Sequence, residues 1–180
     1  MNSSDHVRRM AAYNAWMNAK LYDTAARLSA VELALDRKAF FGSILGTLNH
    51  IMVGDILWLK RFVNHPAGYP ELDPVRKIAT PGALNDMLFS ELAVMRAQRD
   101  SLDLAIKAWA KAVTDADLDH VLHYVNVKGL PFDRLFMDLV MHFFNHQTHH
   151  RGQATTLLTQ AGVDVGVTDL LLMIPTEGPS

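Results

Sequence analysis

The stretch PFDRLFMDLVMHFFNHQTHHRGQATTLLTQAG, residues 131–162, combines a helical apolar rhythm with an unusual density of histidine. Phe132, Phe136, Leu139 and Phe143 recur at three- and four-residue intervals, and Leu135, Leu157 and Ala161 fall on the same side at helical spacing, which predicts a helix. Pro131 is tolerated in a first turn and Gly162 is a good C-terminal cap, so the helix is expected to run from near Pro131 to about Ala161. Four of the chain's nine histidines fall within it, at 142, 146, 149 and 150.

Each helical residue advances about 100°, so the spacing assigns every imidazole a direction. With His146 at the origin, Leu135, Leu139, Phe143 and Leu157 fall between roughly −20° and +60°. His146 and His150, at about 0° and +40°, lie inside that stripe, whereas His142 and His149 fall at its margin. Imidazoles one turn apart on a buried face can converge on a transition metal. The same pair can instead be satisfied by hydrogen bonds to Asp, Tyr or water.

Working outward, three more segments carry helical periodicity. The first runs from about Ser4 to Leu28, with Met10, Tyr13, Met17, Leu21, Ala25 and Leu28 as its stripe. The second, from about Ser43 to Asn64, is apolar nearly all round and should be the most buried. The connector NHPAGYPELDPVRKIATP is too rich in proline and glycine to continue it. A third helix is predicted from Thr80, with Pro81 in its first turn, to about residue 113. The alternation of LDHVLHYVNVKG then suggests a short extended piece or hairpin before the fourth helix. The tail DVGVTDLLLMIPTEGPS carries an apolar patch expected to dock on the helices. The expected fold is all-α: a four-helix bundle with a long connector after helix 2, forming a single domain over residues 1–180.

Composition narrows the function classes. A formal charge of −2 and the lack of any basic run argue against nucleic acid. The absence of cysteine excludes disulfides, thiolate ligands and a Cys nucleophile. The stretch ILGTLNHIMVGDILWL is interrupted by Asn49, His50 and Asp55 and is too short to span a bilayer. A cytoplasmic soluble protein, with neither nucleic-acid nor membrane partners, is the expectation.

A metal site would need a ligand beyond His146 and His150. His50 is the one histidine of the second helix, with Gly46, Gly54, Ser43 and Thr47 around it. These small residues could leave a hollow for an ion, or simply let helices pack closely. Its phase does not decide, because that helix is buried on several sides. His6, His65, His120 and His123 are read as solvated or capping residues.

The segments YNAWMNAKLYD, LNHIMVGDILWLKRF and HFFNHQTHHRGQ, in that order, resemble the DinB/YfiT-like metalloenzymes over nearly the whole chain. The resemblance implies a four-helix bundle, commonly a homodimer, with His50, His146 and His150 holding a divalent transition metal, Zn or Ni. The near-heptad third helix and the apolar second helix would supply a dimer surface. Three imidazoles on a tetrahedral ion leave one position open, the catalytic pattern. The H-x-x-x-H is not that of zinc proteases, since Gln147 stands where they carry a glutamate base. Two enzymatic readings follow: a small-molecule hydrolase, or a transferase or isomerase acting with a low-molecular-weight thiol co-substrate. The alternative is a non-catalytic metal-binding or stress-related interaction bundle. Asp55 is expected to be buried, orienting a histidine or pairing with Arg151 or a Tyr or Trp donor. His149, Arg151 and Gln153 are candidates to support the ligands or line the mouth. Asn14 and Trp16 are assigned to packing.

Overall fold

The computed structural model describes residues 2–176. It is mostly helical, with one two-stranded sheet. Four long helices dominate: α1 (Ser3–Ala25), α3 (Ile44–Phe62), α5 (Leu92–Ala112) and α7 (Phe136–Gln160). Three short ones intervene: α2 (Ala30–Ala34), α4 (Asp73–Arg76) and α6 (Asp115–Leu118). Strands β1 (Val121–Val125) and β2 (Pro131–Leu135) form the hairpin ahead of α7. Helix α1 packs along α5 and α7, and α3 packs on α7. No helix among the described residues is long and apolar enough to cross a membrane.

Local chemistry explains the boundaries. Asn2 and Asp5 close a capping box on α1, and Ser29 with Glu32 and Thr114 with Asp117 do the same for α2 and α6. Those two short helices escaped the periodicity reading because neither is long enough to show a stripe. Ser43 caps α3 by accepting from Gly46 N. Sixteen of the 19 residues of α3 are buried, so it is the central helix. That burial also removes it as a surface for a partner, contrary to the expectation that it could contribute to a dimer face.

The structure corrects three further expectations. Pro131–Leu135 is strand, not helix: Leu122 pairs with Arg134 and Tyr124 with Phe132, antiparallel. The turn between the strands is held by Asn126, whose N donates to Leu130 O and whose Oδ1 accepts from the amides of Lys128 and Leu130. Gly129 takes φ +77 there. The pairing outcompetes the helical rhythm of Phe132 and Leu135, and Pro131, at the end of the ladder, breaks no interior bond.

Residues 80–91 are not helical either, and the third helix begins at Leu92. Asp86 Oδ2 accepts from the amides of Gly82 and Ala83, closing a turn. Asn49 of α3 then clamps Phe89, its Oδ1 accepting from Phe89 N and its Nδ2 donating to Phe89 O. A side chain that pairs with both backbone groups of a residue offers that segment an alternative to helix.

The tail is the third case. Val163 and Val165 are buried, and Tyr13 donates to Thr168 O at 2.7 Å. The apolar run beyond them forms a 3-10 turn at Leu170–Met173 that contacts α1 but leaves Leu171 and Leu172 exposed, so that patch docks only in part. Residues 177–180 of the tail lie outside the described residues.

Candidate metal centre

The buried face of α7 is not centred on the stripe of Leu135, Leu139, Phe143 and Leu157. Its buried residues include Val140, Phe144, Gln147, Arg151, Ala154 and Leu158 as well as Phe143 and Leu157. On the angular scale above, that face centres near +90° rather than on His146. Gln147 and Arg151 occupy its middle, 0% and 2% exposed. His146 and His150 are half-buried at its rim, and His142 and His149 are exposed. The stripe drawn from the sequence misplaced the centre because it left out Val140, Phe144, Ala154 and Leu158, which fall at about +80° to +160° and are buried with Gln147 and Arg151.

From that rim the two histidines meet α3. His50 Nε2 lies 3.1 Å from His146 Nε2 and 3.1 Å from His150 Nε2. The three ligand atoms all lie within 4.8 Å of one another, and this group could hold a metal ion. Ligand nitrogens on a tetrahedral zinc, bonded at ~2.0–2.1 Å, stand about 3.3 Å apart. The two separations from His50 therefore suit such an ion.

Proton placement supports the same arrangement. His50 Nδ1 lies 2.8 Å from Leu84 O, and a carbonyl only accepts, so Nδ1 carries the proton. His150 Nδ1 donates to Gln153 Oε1 at 2.8 Å, and Gln153 Nε2 reaches His149 Nε2 at 3.4 Å. Both Nε2 atoms are thus left as unprotonated lone pairs facing each other, an arrangement that a cation could bridge. Burial lowers the pKa of all three imidazoles, and burial together with the neighbouring histidines takes His146 down to about 3. Neutral imidazole is the ligating form.

Two neighbours complete the geometry. A Cβ on Gly54 would lie 2.5 Å from His146 Cε1, so only glycine there lets the ring seat. Phe41 stacks on His50 at 3.8 Å between ring centroids and meets His150 edge-on at 5.5 Å. Phe41 and the Leu84 carbonyl were not singled out in the sequence. The first lies in the loop before a helix cap, and the second is a main-chain atom with no sequence signal. Gly54 was visible as a small residue near His50, but it accommodates an imidazole instead of leaving a hollow.

The other candidates separate. Gln153 supports His150 directly, with His149 behind it. Asp55 reaches no histidine and does not pair with Arg151. It pairs with Arg99, which lay outside the readings, and accepts from Gln147 Nε2 at 2.7 Å. Arg99 Nη2 continues to Asp103 Oδ1 at 2.9 Å, and Asn18 and Asn14 donate to the same carboxylate at 3.0 and 3.2 Å. Arg151 donates to Asn14 and, at 3.2 Å, to Thr148, and hydrogen-bonds to none of the three histidines. This buried network joins all four long helices. Burial pushes the Asp55 carboxyl up, while Arg99 and Gln147 pull it back. Gln147 therefore points into the core, not at the three histidines. His65 is buried too, lying 3.2 Å from Asp117 O and accepting from Ala67 N, which corrects its solvated reading.

The protein DinB of Bacillus subtilis (strain 168) is 24% identical over 181 residues, covering 97% of this chain and 98% of that protein. No solved structure matches. Residues 1–178 match the family model described as DinB family, and the chain belongs to that family.

Proposed function

We propose that His50, His146 and His150 bind a divalent transition metal, zinc or nickel, through their Nε2 atoms, and that the four long helices act as the bundle that positions them. The observation that carries this reading is the convergence of the His146 and His150 Nε2 atoms on His50 Nε2, each at 3.1 Å. With three protein ligands and one position open, such an ion is a Lewis acid that acidifies water or a thiol near neutral pH. The chain's own residues do the orienting. Leu84 O and Gln153 fix two tautomers, Phe41 covers His50, and Gly54 admits the His146 ring.

The function proposed is a metal-dependent transferase or isomerase acting on a small molecule with a low-molecular-weight thiol. Hydrolysis of a small ester or amide is the second reading. Gln147 bears on the choice. It is spent on Asp55, and no carboxylate occupies the position of a protease-type general base. A thiol needs no such base once it is ionised on the metal. Thiol-transfer and esterase assays on metal-loaded protein test the reading, with His50→Ala as control. Thiol-dependent turnover lost in His50→Ala supports it. Esterase turnover alone selects the second reading. No turnover at full metal occupancy leaves a non-catalytic metal-binding protein.

A further inference from the structure

One cavity shares Gln153 with the surroundings of the three histidines, although none of the three lines it. It has a volume of about 330 Å³, and Arg37, Lys38, Phe40, Thr47, Gln153 and Thr156 are among its lining residues. Its connection to the cluster runs through three features. Gln153 lines it and holds His150 Nδ1. Thr47 lies three residues before His50 on α3. Phe40 precedes Phe41, whose ring stacks on His50.

The lining brings two cationic side chains to one small space, and no Asp or Glu among the described residues shares it. Arg37 is underused. Its Nη2 donates to Glu32 O at 3.3 Å, while its Nε is buried without a hydrogen-bond partner. A guanidinium presents five donors in a fixed fork, so most of its capacity is open. Lys38 pairs with Asp36 at the surface, both side chains exposed, and such a pair exchanges readily for a better partner.

The backbone holds the two cations in place. Lys38 has φ 56, the one positive value among the described non-glycine residues. It is kept there by Asp36 Oδ1, which accepts from its amide at 2.9 Å. Arg37 N donates to Gly42 O at 2.7 Å and Gly42 N to Ala39 O at 2.9 Å, closing the turn. A bulky side chain in the left-handed region is disfavoured, and such positions gather where function needs them.

We propose that this cavity seats a terminal oxyanion group, carboxylate or phosphate, of the small molecule that acts at the three histidines, with Arg37 and Lys38 as its specificity-determining residues. The proposal rests on the metal reading above for what happens at the other end of that molecule, but the anion seat itself does not require the ion.

The test uses Co²⁺-loaded protein and matched thiols: a short series of mercaptocarboxylates, 2-mercaptoethyl phosphate, and the mercaptoalcohols of equal length. Thiolate binding is read from the cobalt absorption spectrum. Charge-assisted hydrogen bonds to Arg37 should make at least one anionic thiol bind roughly ten- to a hundredfold tighter than its alcohol. Which anion shows the gain distinguishes carboxylate from phosphate. Arg37→Met and Lys38→Asn, the latter keeping a residue that accepts the left-handed backbone, should abolish that preference and leave cobalt stoichiometry and mercaptoalcohol affinity unchanged. A metal-independent arm uses butyrate and inorganic phosphate on metal-free His146→Ala protein, following the Arg37 Nε–H resonance. Movement of that resonance with either anion supports the seat even if cobalt does not bind. No preference among the thiols, a preference that survives both substitutions, or an Arg37 resonance that neither anion moves overturns the proposal. Loss of cobalt binding with the resonance still responsive overturns only the metal reading.

Discussion

Gly54 shows how closely the histidine cluster is fitted. An alanine Cβ there would stand 2.5 Å from His146 Cε1 and 3.0 Å from Nδ1. By helix propensity alone, glycine to alanine in a helix interior gains up to about 1 kcal/mol. The clash acts in the opposite direction and bears on one ring. Gly54→Ala is therefore expected to lower metal affinity by roughly 10–100-fold, the usual cost of disturbing what orients a ligand. Thermal stability of the metal-free protein should change little. Competition against a chromophoric chelator measures the first and a melting curve the second. Unchanged affinity would show that His146 does not need this seat. At the same scale, the structure brings His146 and His150 together with His50, but not through the apolar stripe on which the sequence placed them. They sit at the rim of the buried face, where nitrogens can meet His50, while Gln147 and Arg151 take its centre.

Between elements, register is set by polar contacts that hydrophobic rhythm does not reveal. Gly54 faces His146 and the next residue, Asp55, faces Gln147, so two consecutive rungs tie α3 to α7. Arg99 and Asp103 of α5 and Asn14 and Asn18 of α1 extend the tie across the core. Removing one partner of a buried ion pair leaves an uncompensated charge. Arg99→Leu, which strands Asp55 and Asp103, should thus cost about 3–5 kcal/mol in chemical denaturation. A loss below about 1 kcal/mol would mean that the network contributes little beyond packing. The long helices were legible because each shows a sustained stripe. The start of α5, the strand at Pro131–Leu135 and the two capped short helices were not. There, Asn49, Asp86 and the Asn126 turn override a weak apolar pattern through contacts made only in the fold.

For the molecule as a whole, protons and metal compete for one cluster. His146 is held at about 3 when folded, against an ordinary value of 6.5, and His50 and His150 are shifted the same way. A histidine with a depressed folded pKa binds its proton more readily when unfolded. Its stabilisation is therefore complete above about 6.5 and is lost as the pH falls toward 3. Melting of metal-free protein should fall between pH 7 and 5 more steeply for the wild type than for His146→Ala, and equal slopes would contradict the shift. Metal occupancy should decline over the same window, since the ligands must be neutral. The central claim is tested most directly by metal content. Protein made without a histidine tag and reconstituted with Zn²⁺ or Ni²⁺ should carry one ion per chain by elemental analysis, with a raised melting temperature. His50→Ala, His146→Ala and His150→Ala should each lose both effects. A wild-type chain that takes up no ion and gains no stability, or a His146→Ala variant still at full stoichiometry, would contradict it.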